Sequence, residues 1–243
     1  LAKNFGEGVN IMDKHISSQF DSELRAVSSR VLEMGGLAEA QIRLAIEALA
    51  LMNADVAFKV IEAEEAVNQF EVDIDRELSS IIARRQPTAR DLRLLMAISR
   101  TTANLERVGD EAVRMARMVQ SICRSGLTLR LPSGDLRIAS DLAAKQLRKA
   151  LNAFARLDAD DCVAILREDD LIDQEFNGFV RLLITYMMED PRTISASLDL
   201  LFIAKAIERI GDHAKNIAEC VIYIVKGADV RHSSMEDIET AVK

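Results

Sequence analysis

Between Ile203 and Val221 apolar side chains recur every three or four residues: Ile203, Ile207, Ile210, Ala214, Ile217 and Val221. At about 100° per residue they fall on one stripe of a helix. Leu94, Ile98, Leu105, Val108, Ala112 and Met115 repeat the period in the first half of the chain. Extended over the sequence, the pattern predicts three long helices in each half, near 17–52, 56–86 and 90–123, then near 135–157, 161–189 and 194–226. Asn53-Ala54-Asp55 supplies an N-cap, and Gln86-Pro87-Thr88 separates the second helix from the third. Asp158-Ala159-Asp160 and Asp190-Pro191-Arg192-Thr193 make the matching turns, and Gly227 stops the last helix. Short turns make neighbours antiparallel.

The halves are related. Leu105-Glu106-Arg107-Val108-Gly109-Asp110 recurs as Ile207-Glu208-Arg209-Ile210-Gly211-Asp212, 102 residues later. A second register, Ala48 to Asp55 against Ala153 to Asp160, has an offset of 105. That period is too long for a solenoid of roughly 20–50-residue repeats. The expected fold is therefore all-α, two tandem antiparallel three-helix bundles. Residues 1–16 read as an N-terminal arm, 17–125 as the first bundle, 126–134 as a linker around Pro132 and Gly134, 135–228 as the second bundle and 229–243 as a C-terminal tail. Residues 1–11 are polar and aperiodic, either a flexible arm or residues preceding a start at Met12.

Composition narrows the function. Aromatics are 4% and Trp is absent, which with scarce Gly and Pro favours helix throughout. The net charge of −8 argues against a nucleic-acid coat and suits cations or basic partners. Cys123, Cys162 and Cys220 show no CxxC spacing and read as buried, unpaired thiols in a reducing compartment. Apolar runs such as Leu198–Ile210 are interrupted by Asp199, Lys205 and Glu208, so none is expected to span a membrane.

Each hexapeptide places two carboxylates at i and i+4, Glu106 with Asp110 and Glu208 with Asp212. Like charges so spaced destabilise a helix by roughly 0.2–0.5 kcal/mol, and the mid-helix Gly costs about 0.8–1.0 kcal/mol relative to Ala. A helix that tolerates both at two equivalent places points to a bound cation with close backbone approach. The alternative is a solvated acidic face. The pairs lie opposite the apolar stripes, Glu106 and Asp110 near Ser99, Thr102 and Ala103, Glu208 and Asp212 near Ser197, Ala204 and Lys215. They are expected to face outward or towards another segment. The second helix of each half offers partners: Asp169 with Asp173, and in matched register Glu64 with Asn68, continued by Glu71 and Asp75. Carboxylate oxygens suit Mg²⁺, Ca²⁺ or Mn²⁺ and also hold iron or zinc. The Glu-x-x-His pairs of di-iron bundles are absent. The neutral Asn68 opposite Asp173 predicts a weaker first-half site. Arg84, Arg85, Arg90 and Arg93 surround a helix start and form a candidate partner-binding tip, against the plainer reading of a solvated turn. No nucleophile–base pair, P-loop or dinucleotide fingerprint occurs.

The twin ERVGD and ERIGD motifs, with ARRQPTARDLR at the first turn and YMMEDPRTI at the second, resemble the PhoU family from about His15 to His232. The resemblance implies PhoU-like bundles and a cytoplasmic, non-enzymatic negative regulator of the phosphate-starvation response. It implies action at the inner membrane through partners, the transporter ATPase PstB and the sensor histidine kinase PhoR, as a homodimer or higher homo-oligomer. It implies multinuclear metal ions, of iron, zinc, manganese or magnesium, on Glu106, Asp110, Asp169, Asp173, Glu208 and Asp212. Asn68, paired with Glu64, departs from the family's acidic pattern. The competing class is a metal-dependent hydrolase or metal-storage bundle.

Overall fold

The computed structural model describes residues 18–125 and 132–243. The expected arm and residues 126–131 of the expected linker lie outside them. Helices α1 (Ser18–Leu51), α2 (Ala54–Glu62), α3 (Glu64–Arg85) and α4 (Ala89–Arg124) make the first half. Helices α5 (Arg137–Arg156), α6 (Ala159–Glu189), α7 (Ile194–Lys226) and α8 (Met235–Val242) make the second. Among the described residues there is no strand.

Local chemistry sets the ends. Asn53 Oδ1 accepts from the amides of Asp55 at 2.9 Å and Val56 at 3.1 Å, starting α2. Asp158 does the same for α6 through the amide of Asp161 at 3.0 Å. Gly227, at φ +72°, closes α7 in the left-handed conformation, its amide donating to the Tyr223 carbonyl at 3.0 Å.

The structure departs from the sequence expectation at two places. The helix expected over 56–86 is divided at Ala63 into α2 and α3. No Pro or Gly marks the break, so a reading by punctuation runs through it. The expected tail contains α8, capped by Ser234 and burying Ile238 and Val242 against the second bundle. Eight residues cannot bury a long stripe, so the periodic signal there is weak.

Helices α1 to α4 pack together, as do α5 to α7, and one continuous apolar core runs through both halves, joined mainly where α4 lies on α7 and also where α1 meets α5. These helices run antiparallel. Arg93, near the start of α4, lies by Gly227, at the end of α7. Farther along, the Arg100 guanidinium stands 5.5 Å from the Tyr223 ring, and Asn216 Nδ2 donates to Asn104 Oδ1 at 3.1 Å. The repeat offset maps this pairing onto itself about Gly109 and Gly211. The duplicated halves thus face each other across an approximate twofold relation, with the twin motifs at its centre.

Candidate functional site

Each motif is built against the preceding helices of its own half. Gly109 and Gly211 are buried. A methyl group on Gly109 would lie 3.1 Å from Gln41 Oε1 and 3.4 Å from Val67 Cγ1. On Gly211 it would lie 3.1 Å from Gln146 Oε1 and 2.7 Å from Ile172 Cδ1. The glycines therefore let a buried glutamine and a branched side chain approach the helix backbone. Gln41 Nε2 donates to the Val60 carbonyl at 3.1 Å, and Gln146 Nε2 to the Ile165 carbonyl at 3.3 Å. In both glutamines the buried Oε1 has no hydrogen-bond partner among the described residues. The sequence reading missed them. Their separation of 105 residues, matching the second repeat register, is the signal that could have found them.

The carboxylates line the edge of this contact, between α3 and α4 in the first half and between α6 and α7 in the second. Glu106 is half-buried and Asp110 exposed; Glu208 is half-buried and Asp212 exposed. Thr102, Ser197 and Ala204, expected on the same outward face, are buried. The motif side is thus an interhelical groove rather than an open face.

In the first half burial raises the pKa of Glu106 first, reinforced by Asp110, Glu71 and Glu64. Glu71 is raised by burial, then by Asp75 and Asp110. Glu64 sits 3.6 Å from Arg117, and Asn68 is exposed. In the second half Asp169 is buried; it accepts from Lys215 Nζ at 2.8 Å and from Gln146 Nε2 at 3.3 Å. Glu208 Oε1 is 2.5 Å from Lys205 Nζ, while its Oε2 is buried without a hydrogen-bond partner among the described residues. Burial raises Asp212, reinforced by Glu208, Asp169 and Asp173. Asp173, exposed on α6, is raised by burial of its carboxylate and then by Asp169 and Glu208.

Mutual carboxylate repulsion and the orphaned Glu208 oxygen fit a hard divalent cation, which would be held by Glu106, Asp110, Glu64 and Glu71 in one half and Asp169, Asp173, Glu208 and Asp212 in the other. As the side chains stand, no three acid, His or Cys groups among the described residues are gathered at ligating distance. In the second half the lysines occupy the carboxylates instead.

The Arg tip is largely engaged. Arg85 Nη2 and Arg84 Nη1 lie 2.8 Å and 3.1 Å from Glu23 Oε1 of α1, and Arg85 holds the Glu23 carboxyl down at about 2. Arg93 packs beside Gly227. Arg90, half-buried near the start of α4, is engaged as well. No helix among the described residues is long and apolar enough to cross a membrane.

A family model of the PhoU domain matches the chain twice, at residues 31–119 and 136–221. A phosphate-specific transport system accessory protein PhoU homolog of a Burkholderia species is 50% identical over 229 residues, covering 94% of this chain and 97% of its own. The phosphate-specific transport system accessory protein PhoU of Escherichia coli K12 is 45% identical, covering 94% of each chain. The crystal structure of PhoU from Pseudomonas aeruginosa superposes with a TM-score of 0.83 at 44% identity, covering 86% of this chain and all of that one. That of the phosphate transport system regulatory protein PhoU from Streptococcus pneumoniae gives 0.79 at 28% identity, over 86% of this chain and 98% of its own. Two matched domains, each carrying one copy of the motif, and near-complete coverage of such relatives place this chain in the PhoU family.

Proposed function

We propose that the chain is a non-enzymatic accessory protein that regulates phosphate uptake. It acts by contact, linking the ATPase PstB of the phosphate transporter to the sensor kinase PhoR and repressing the phosphate-starvation response when phosphate is plentiful. Its two carboxylate grooves hold hard cations that fix the helix pairs α3–α4 and α6–α7. The observation that carries the reading is the twin motif at matched places in a chain aligned end to end with proteins named as phosphate-transport accessories.

The test is complementation. In a bacterium lacking its own PhoU, the chain should restore repression of a phosphate-starvation reporter in phosphate-rich medium, and it should capture PstB or PhoR from that host. Failure of both, together with cation-dependent hydrolysis of a phosphate ester, would replace the regulator with the hydrolase reading.

A further inference from the structure

The twofold relation between the halves is broken on one side of the α4–α7 contact. Arg107 and Arg209 are the motif arginines, both exposed. The Glu111 carboxylate, paired with Arg114 at 3.0 Å, also feels Arg209 across the contact. Arg107 acts instead on His213, the repeat counterpart of Glu111. His213 is buried, its Nδ1 3.1 Å from Asn104 Oδ1, and burial together with both arginines holds it neutral, down at about 4. Across the contact Arg209 thus faces a carboxylate that it shares with Arg114, whereas Arg107 faces a neutral imidazole.

On the Arg107 side lies a cavity of about 360 Å³, lined by Arg100, Asn104, Arg107, Asn216, Glu219 and Arg231. It adjoins a larger one of about 600 Å³, with which it shares Asn216, Glu219 and Arg231. Repeat counterparts of the lining residues are Phe202 for Arg100, Ala206 for Asn104, Arg114 for Asn216 and Arg117 for Glu219, so the other side carries no equivalent set. Arg100 and Arg107 make no hydrogen bond or ion pair among the described residues; Arg100 lies over Tyr223 and feels Asp229 at longer range, and Arg107 feels Glu71 and Glu106 at longer range. Arg231 is held by Asp229, with Nε 2.8 Å and Nη2 2.5 Å from its carboxylate oxygens. Asn104 is fixed too, donating to the Arg100 carbonyl at 2.8 Å and accepting from Asn216.

We infer that this cleft is a site for a phosphoryl oxyanion, either free orthophosphate or the terminal phosphate of a nucleotide. Three guanidinium groups around one cavity match an anion with several oxygens and more than one negative charge better than a carboxylate with two oxygens. One acid lines the cleft, Glu219, while Asp229 engages Arg231 from outside the lining and Asp170 and Asp212 line the adjoining cavity. Glu219 and Asn216 Oδ1 can accept a hydrogen bond from the P–OH of hydrogen phosphate. Sulfate has no proton to donate, so Glu219 would oppose it. The adjoining cavity gives room for the rest of a nucleotide.

Calorimetric titration of the full chain tests this, at constant ionic strength and with chelator present so that no cation bridges phosphate to the carboxylate grooves. Orthophosphate should bind saturably at one site and more tightly than sulfate. Arg107→Met should weaken it roughly tenfold or more, whereas Arg209→Met, across from Glu111, should leave it unchanged. Glu219→Met should narrow the preference for phosphate over sulfate. ADP that binds more tightly than orthophosphate and competes with it identifies the nucleotide as the source; ADP that binds more weakly identifies the free anion. Circular dichroism checks that each variant is folded. Absence of saturable binding by orthophosphate and ADP alike, or equal loss in the two arginine variants, overturns the proposal. The readout is binding itself, so it does not depend on the transporter or the kinase.

Discussion

The two motif grooves descend from one pattern but balance their charge differently. Where the second half has Phe176, Lys205 and Lys215, the first has Glu71, Ala103 and Val113 at the matched positions. Lys215 bonds buried Asp169, and Lys205 bonds Glu208 while standing 5.3 Å from the Phe176 ring. The first groove has no lysine, and Glu71 brings its acids level with the four of the second; among the described residues its carboxylates are offset by Arg107 and by Arg117 at its rim. Counting the four motif positions alone makes the second half the stronger cation site, because Asn68 lacks a charge. Counting the neighbours reverses the order: a cation entering the second groove must displace two ammonium groups. Local charge at a site belongs to every helix that packs there, not to the motif that marks it.

The largest expected effect comes from removing the second groove's internal cation. Lys215→Met leaves the buried Asp169 carboxylate with Gln146 as its one remaining partner. The metal-free chain should lose roughly 1.5–3 kcal/mol, the range for a hydrogen bond to a charged group. Manganese should restore much of that loss in the variant and little in the parent, because the vacated carboxylate becomes a cation ligand. Chemical denaturation with and without Mn²⁺ measures both. In the parent, Mn²⁺ titration should fill the first groove before the second, and the variant should reduce the gap. Filling of the second groove first would restore the ranking based on Asn68.

Much of this was legible before any coordinates. The stripes from Leu94 to Met115 and from Ile203 to Val221 are buried as the period requires, and the caps at Asn53 and Asp158 work through local hydrogen bonds. These features depend on residues within a turn of one another. What was not legible depends on contacts between distant residues. Gln41 and Gln146 interrupt apolar faces and read as noise until Gly109 and Gly211 are packed against them. Glu23, 61 residues before Arg84, gives no local sign that it pairs with the Arg tip. Lys205 and Lys215 look like solvated charges on α7 until α6 is placed beside them.

The glycine pair gives an intermediate effect that separates the halves again. Alanine at either site gains about 0.8–1.0 kcal/mol in helix propensity. At Gly109 the new methyl meets Gln41 Oε1 at 3.1 Å and Val67 at 3.4 Å, and Gln41 donates only to the Val60 carbonyl. A shift of a few tenths of an ångström relieves it, so Gly109→Ala should be close to neutral. At Gly211 the methyl meets Ile172 Cδ1 at 2.7 Å, and Gln146 is tethered to both Ile165 and Asp169. Overpacking typically costs 1–3 kcal/mol, so Gly211→Ala should be net destabilising by about 1 kcal/mol. Thermal denaturation of the two variants in chelator should show the difference. Equal melting temperatures would mean that the second groove yields as readily as the first.

The smallest effect concerns the carboxylates themselves. Burial and like charges raise Glu106 and Asp212 above their ordinary values. For an acid raised on folding, the native state binds more protons than the unfolded one. Its contribution to stability is therefore most favourable at low pH and is lost as pH rises from the ordinary carboxylate range through the raised value. Without metal, Glu106→Gln and Asp212→Asn should each stabilise the chain at neutral pH by less than about 1 kcal/mol, since both groups are partly solvated. The gain should fade below the ordinary carboxylate pKa, where the native acids are already protonated. Glu106→Gln should gain more than Asp212→Asn, because the half-buried Lys205 relieves Asp212 from inside its groove, whereas Glu106 is relieved by the solvent-exposed Arg107 alone among the described residues. With saturating Mn²⁺ both signs should invert, the neutral amide now costing a charged ligand. Melting temperatures across pH 4–8, with chelator and with Mn²⁺, would read all of these at once. A gain from Asp212→Asn equal to that from Glu106→Gln would show that the lysines do not screen the second groove.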